Sequence, residues 1–303
     1  MSFKQAHLEY ILKDITDNPR EFIAIVGPTC TGKTDLSLAL AQELKLPIIN
    51  ADSRLIYAEM NIGTAKPTQD ELSRVPHCLI DIKKPNESYS AGDYRKDFDR
   101  ITNTLEATSI KAIVVGGTGL YLRSALENLE MPNISRDENL REELKAKNLE
   151  ELNTLLNDLD PQARELIDTQ NKIRIIRAIE IIKHSGKPLS ENRSKSPESR
   201  YSTAFYGLNF HDRQTLYNLI DNRVVRMIDQ GLVAEVESLI QRYGVTSTML
   251  ATIGYKEIIA YVQGQYSLAD AVALIQQRTR NYAKRQLTWF RSNPAVQWLY
   301  HDC

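Results

Sequence analysis

Two rhythms of apolar residues alternate along the chain. Short continuous runs at 22–26, 47–51, 77–80, 112–115 and 204–208 read as buried strands, and the first of them is Phe22, Ile23, Ala24, Ile25, Val26. Between them apolar residues recur at helical spacing, as at Leu36, Leu40 and Leu44. Strands separated by helices predict an α/β fold with a parallel, doubly wound sheet. Ahead of the first strand, Phe3, Leu8, Ile11, Leu12 and Ile15 predict an amphipathic helix over 3–17, a packing extension without chemistry. From about Pro132 to Arg200 the pattern turns charged, helical and strand-free before a strand resumes at Ala204. The expected organisation is a core begun by residues 1–130, a helical insertion over 131–200, and completion of the core by 201–303 with helices only after the last strand. Ser185-Gly186-Lys187-Pro188 ends one helix of the insertion, and 190–200 reads as a polar linker. No internal repeat is found.

Length and charge narrow the function classes. With 303 residues and a formal net charge of −1, the chain has ample core and no general affinity for polyanions, so contact with nucleic acid requires local basic patches. Cys30, Cys78 and Cys303 lie far apart without metal-ligand spacing, which suits a reducing compartment. The first twenty residues mix Lys4, Glu9, Lys13, Asp14 and Asp17 and form neither a signal peptide nor a membrane span. A cytoplasmic monomer, with no membrane association, is expected.

In doubly wound sheets ligands sit beyond the carboxyl ends of the strands. Three stretches occupy such ends. Gly27-Pro28-Thr29-Cys30-Thr31-Gly32-Lys33-Thr34 matches the phosphate-loop pattern G-x-x-x-x-G-K-[ST] between a strand and a helix. Its backbone N–H groups, the helix N-terminus and Lys33 suit a di- or triphosphate, and the Thr34 hydroxyl suits Mg2+. The motif leaves open whether the phosphates belong to ATP. Asp52, in Asp52-Ser53-Arg54, is a carboxylate fit for a base or a metal ligand, and equally for a turn or helix cap. Gly116-Gly117-Thr118-Gly119 offers the Thr118 hydroxyl to the same cleft or is a tight turn, and Asp81 closes another strand with the same ambiguity.

Two regions are locally basic. Lys172, Arg174, Arg177, Lys183 and Lys187 face Glu180 alone in the second half of the insertion. The last helix carries Arg278, Arg280, Lys284, Arg285 and Arg291 interleaved with Tyr282, Trp289 and Phe290. Cations and an aromatic at Arg278, Tyr282 and Arg285 share a side, a pattern that suits RNA; core aromatics beside a solvated charged face give the same pattern.

The ordered set of blocks resembles the tRNA dimethylallyltransferase, or tRNA isopentenyltransferase, family from Ile23 to Arg291. After the phosphate loop come Ala51-Asp52-Ser53-Arg54, Asn61-Ile62-Gly63-Thr64-Ala65-Lys66-Pro67 and Val115-Gly116-Gly117-Thr118-Gly119-Leu120-Tyr121. Further blocks are Arg174-Ile175-Ile176-Arg177-Ala178-Ile179-Glu180, Gly231-Leu232, Thr252-Ile253-Gly254-Tyr255-Lys256-Glu257, and Thr279-Arg280 through Tyr282-Ala283-Lys284-Arg285-Gln286 to Thr288-Trp289-Phe290-Arg291. The resemblance implies a P-loop NTPase-like core whose phosphate loop, Gly27, Pro28, Thr29, Cys30, Thr31, Gly32, Lys33 and Thr34, holds dimethylallyl diphosphate rather than ATP. It implies transfer of the prenyl group to the exocyclic amino nitrogen of the adenosine just 3′ of the anticodon in tRNA. Asp52 becomes the general base, Thr118 a positioning hydroxyl, Arg223 a further diphosphate partner, and Thr34 the ligand of Mg2+. Asp52, Ser53, Arg54 and Leu55 would meet the target base, while Arg174, Arg177, Lys256, Arg280, Lys284 and Arg285 would grip the anticodon arm. The chain departs from the family where Leu55 replaces a usual Gln, Cys78 a His, Asn171 an acid and Val225 an Asp. Alternative readings are an adenylate isopentenyltransferase acting on free nucleotides, a P-loop kinase or NTPase, and an RNA-binding module.

Overall fold

A computed structural model describes residues 3–105, 110–127, 129, 134, 137–189, 191 and 199–301. Pro132, Cys303 and most of the 190–200 linker lie outside these residues. The chain divides into one unit formed by Met1–Glu127 with Ser199–Cys303 and a second formed by Asn128–Glu198.

The first unit is built on a six-stranded parallel sheet: β1 (Phe22–Val26), β2 (Ile48–Asn50), β3 (His77–Cys78), β4 (Ala112–Val115), β5 (Thr203–Phe210) and β6 (Val296–His301), in the order β3-β2-β4-β1-β5-β6. Ile23 on β1 pairs with Ile113 on one side and Ala204 on the other, so the central strand is buried on both faces. Because side chains alternate along a strand, Ile23 and Ile25 point to one face and Phe22 to the other. On the first face α1 (Phe3–Asp17) and α2 (Lys33–Leu44) contribute Ile11, Ile15, Leu36 and Leu40 to a core with Ile23, Ile25, Ile113 and Tyr206. The expected packing role of the N-terminal helix is therefore met. After α3 (Gln69–Arg74) and β3, helices α4 (Ala91–Thr102) and α5 (Gly119–Leu126) cover the second face. Phe22 lies 5.5 Å from Phe98 there, and Tyr94 stacks on Tyr121 at 4.2 Å.

The second unit holds α6 (Glu138–Ala146), α7 (Leu149–Leu159), α8 (Ala163–Leu166) and α9 (Lys172–Ser185). Leu144, Leu152, Leu156, Ile175 and Ile179 form its core. Gly186, in the left-handed conformation that glycine tolerates, caps α9 by donating to Ile182 O. Fully buried Glu180 accepts from Arg141 at 2.8 Å, from Arg177, and from the Asp137 backbone N–H at 2.8 Å.

Back in the first unit, α10 (Arg213–Asp229), α11 (Leu232–Tyr243), α12 (Ser247–Leu250), α13 (Tyr255–Val262) and the long α14 (Leu268–Arg291) follow β5. Leu216, Ile220 and Ala283 join α10 to α14. The helices-only ending expected after residue 208 is incorrect, because β6 follows α14 and pairs with β5 from Val296 against Phe205 to His301 against Phe210. Asn293-Pro294 stops the helix, and in the strand that follows Gln297 and His301 interrupt the apolar residues Val296, Trp298, Leu299 and Tyr300. As an edge strand with polar positions, β6 lacks the unbroken apolar run that marks the inner strands. The strand expected over 77–80 is shorter for a related reason: Leu79 and Asp81 take φ of +63° and +57°, which turns the chain immediately after Cys78.

Candidate active site

The phosphate loop leaves β1 at Val26 and enters α2 at Lys33. Gly27, at φ +130°, is required: a Cβ there would lie 2.5 Å from Leu208 O on β5. The loop is braced internally by the Thr31 hydroxyl, which donates to Pro28 O at 2.9 Å, and externally by His301 Nε2, which donates to Thr31 O at 2.9 Å. The unforeseen sixth strand thus ends on the phosphate loop. Lys33 Nζ donates to Pro28 O at 2.6 Å. Burial pulls the pKa of Lys33 down to about 8, Asp52 opposes that shift, and the Arg223 guanidinium adds to it. Arg223, on α10, donates to Thr29 Oγ1 at 3.0 Å and faces Cys30 Sγ at 3.4 Å.

Asp52 follows β2 in a turn built around buried Asn50. The Asn50 side chain accepts from Asp52 N at 2.8 Å and donates to Asp52 O at 3.0 Å and Leu79 O at 2.8 Å. Asp52 Oδ1 accepts from Arg54 N at 2.8 Å, so the turn-forming reading of this aspartate holds, and its carboxylate still lines the cleft. Beside it, Thr118 Oγ1 accepts from Ser53 N at 3.0 Å. Asp81 is instead an ion-pair partner of the nearly buried Lys66.

Helix α14 crosses these strand ends. Ile275, Thr279, Tyr282, Gln286 and Trp289 recur at spacings of four and three and line one cavity with Asp52, Thr118, Ile220, Val224 and Met227. That cavity measures about 490 Å³, and a second of about 280 Å³ lies over Cys30–Asp35. Thr29, Lys33, Asp52, Thr64 and Arg223 line both. A pocket over the phosphate loop and a chamber lined in part by Ile220, Val224 and Met227 therefore meet at Asp52 and Lys33. Burial pushes the Tyr282 hydroxyl well above the usual tyrosine range, with Asp52 adding to the shift.

A third wall is the loop 61–66. Glu235 on α11 accepts from three successive backbone donors, Asn61 N at 3.0 Å, Ile62 N at 2.8 Å and Gly63 N at 3.3 Å, and from the Tyr255 hydroxyl at 2.6 Å. One carboxylate thus fixes the strip that carries Gly63 and Thr64 into the chamber.

The IPP transferase family model matches residues 55–293. A tRNA dimethylallyltransferase from Natranaerobius thermophilus is 40% identical over 287 residues, covering 92% of this chain and 86% of that protein. The chain belongs to the IPP transferase family. The crystal structure of the full-length tRNA isopentenylpyrophosphate transferase from Bacillus halodurans is 38% identical with a TM-score of 0.67, covering 93% of this chain and 89% of that one. A eukaryotic dimethylallyltransferase, described as acting on tRNA, is 26% identical with a TM-score of 0.78, covering 92% and 74%. The P-loop NTPase-like α/β architecture is shared with these IPP transferases.

Within this IPP transferase, the structure brings Gly27–Thr34, Asp52, Thr118 and Arg223 together. Ser53 and Arg54 line the larger cavity and Leu55 the smaller. Lys256, Lys284 and Arg285 are exposed, and the Arg285 guanidinium sits 5.7 Å from the Tyr282 ring centroid. Arg280 is paired with Asp221 on α10, and Arg278 with buried Glu257 on α13. In the helical unit Arg174 is exposed, whereas Arg177 is committed to Glu180 and to Ile134 O at 3.1 Å. Glu235 and Gln286 went unassigned at the sequence level. Gln286 left a signal, a polar residue on the stripe of α14 that carries Ile275, Tyr282 and Phe290; Glu235 left none, since the three backbone donors it holds lie more than 170 positions away.

Proposed function

We propose that the chain transfers a dimethylallyl group from dimethylallyl diphosphate to the exocyclic amino nitrogen of the adenosine adjacent to the anticodon in tRNA. The observation that carries this reading is the meeting of the phosphate-loop pocket and the larger chamber at Asp52 and Lys33. The diphosphate occupies the loop, with Arg223 and Lys33 opposing the charge that develops on the leaving oxygen. The apolar lining around Ile220, Val224 and Met227 suits the prenyl chain.

The amino lone pair of adenine is delocalised into its ring, so attack on carbon needs a base that removes the proton as the bond forms. Asp52 serves as that base, and its backbone is fixed by Asn50 before substrate arrives. Thr118 holds Ser53, and with it the acceptor side of the cleft. Extruding the base from its stack costs a few kcal/mol, which contacts from Lys256, Lys284, Arg285, Arg280 and Arg174 to the anticodon arm offset; Arg177, paired with Glu180, serves the fold of the helical unit instead.

The residues present fit Mg2+. Thr34 lines the smaller pocket with Asp35 and Asp52, an oxygen-only set suited to an ion that keeps waters and borrows phosphate oxygens. Thr34 would hold it; when bound, the ion supplies charge neutralisation on the diphosphate. Among the described residues no cluster of three His, Cys, Asp or Glu offers a protein-only metal cage.

Among the described residues no helix is long and apolar enough to cross a membrane. The reading is tested by incubation with dimethylallyl diphosphate, Mg2+ and either unmodified tRNA or AMP, followed by mass analysis of nucleosides. A gain of one dimethylallyl group on tRNA adenosine is expected. Prenylation of AMP alone, or ATP hydrolysis without transfer, would overturn it.

A further inference from the structure

Gln286 is the one fully polar side chain on the buried stripe of α14, and it is 4% exposed. Its Oε1 accepts from Thr29 N at 3.0 Å, and its Nε2 donates to Gly117 O at 3.1 Å. Only one orientation of the amide satisfies both partners, because a backbone N–H only donates and a carbonyl only accepts. The bridge continues on the far side: Gly117 precedes Thr118, whose Oγ1 accepts from Ser53 N at 3.0 Å, next to Asp52. The space has been shaped for it, since a Cβ at Gly117 would lie 2.0 Å from Gln286 Nε2.

We propose that Gln286 is a positioning residue that sets the distance between the phosphate loop and the strand end carrying Asp52, so that donor carbon and acceptor nitrogen meet in register. The proposal rests on the prenyl-transfer reading. It explains why a neutral amide, with one donor and one acceptor in a fixed fork, occupies a stripe that is otherwise mostly apolar or aromatic. Neither a carboxylate nor an aliphatic side chain satisfies both backbone groups.

Gln286→Glu preserves the shape and tests the donor half of the bridge. As a carboxylate it still accepts from Thr29 N but opposes Gly117 O; once protonated it donates to Gly117 O and restores the link. Burial beside a carbonyl raises the introduced carboxyl above the ordinary glutamate range. With the parent and the variant compared from about pH 6 to about pH 8.5, kcat of the variant falls ~10–100-fold below the parent at high pH, as a misplaced near-attack geometry does. The deficit shrinks as pH falls, while KM for dimethylallyl diphosphate changes less than kcat. Gly117→Ala breaks the bridge from the other side by displacing the end of the Gln286 side chain, and gives a comparable kcat loss with a pH-independent ratio to the parent. A Gln286→Glu variant equal to an active parent at every pH, a loss identical at every pH, or a Gly117→Ala variant with parental kcat overturns the proposal. A parent that transfers nothing overturns the underlying function instead.

Discussion

Asp52 is held at two points, by Asn50 through its backbone and by Arg54 N through one carboxylate oxygen. This preorganisation separates its chemistry from its folding role. Asp52→Asn keeps an oxygen able to accept from Arg54 N, so the turn persists while the proposed base is lost. Single-turnover assays with prebound tRNA should show turnover lowered ~10²–10⁴-fold, with tRNA affinity unchanged by filter binding; near-parental turnover would remove Asp52 from the role of base. Lys33 makes a complementary prediction with a defined sign. Its pKa, pulled down to about 8 by burial, leaves the ammonium intact below that pH and neutral above it. Its contribution to anion binding is therefore present at neutral pH and lost as pH rises through about 8. Calorimetric titration with inorganic diphosphate should show the affinity advantage of the parent over Lys33→Met shrinking across that range. An advantage that is flat with pH would show that a bound anion does not sense this charge.

The elements differ in how they were specified. β1 and the phosphate loop were legible because an unbroken apolar run, a spaced glycine pair and a helical repeat agree with one another. Helix α9 was legible too, but its charge pattern concealed a burial: Glu180, seen as the lone acid among cations, is held by one of them, Arg177, and by Arg141 on α6. Burial alone would raise the Glu180 pKa, yet the hydrogen bonds from Arg141 and Arg177 outweigh it and keep it at about 2. A carboxylate depressed in the folded state stabilises above its ordinary value near 4.5 and loses that contribution as pH falls toward 2. Helical circular dichroism followed from neutral to acid pH should show the parent gaining stability over Glu180→Gln above that window and losing the difference below it. A stability difference independent of pH would mean that packing, not charge, explains the residue. What sequence did not reveal at this scale was pairing at a distance. β6 is an edge strand with mixed polarity, and the clamp of Glu235 on Asn61, Ile62 and Gly63 joins segments that only the fold brings near each other.

For the molecule as a whole, a formal net charge of −1 means that affinity for a polyanion depends on which individual cations are unspent. α14 and α13 carry both kinds. Lys256, Lys284 and Arg285 are exposed, whereas Arg280 is engaged with Asp221 and Arg278 with Glu257. A cation that meets a phosphate releases counterions, and its removal lowers the slope of log affinity against log salt by about 1. A cation already neutralised by a carboxylate releases fewer. Lys284→Ala should therefore reduce both tRNA affinity and its salt slope, with a smaller slope change for Arg280→Ala. Asp221→Asn, which frees Arg280, should move the slope in the opposite direction. Binding isotherms for the three variants over a salt series would check this ranking. Equal slopes for Lys284→Ala and the parent would remove α14 from the RNA surface, whereas a larger change for Arg280→Ala than for Lys284→Ala would mean that tRNA displaces Asp221 from its partner on binding.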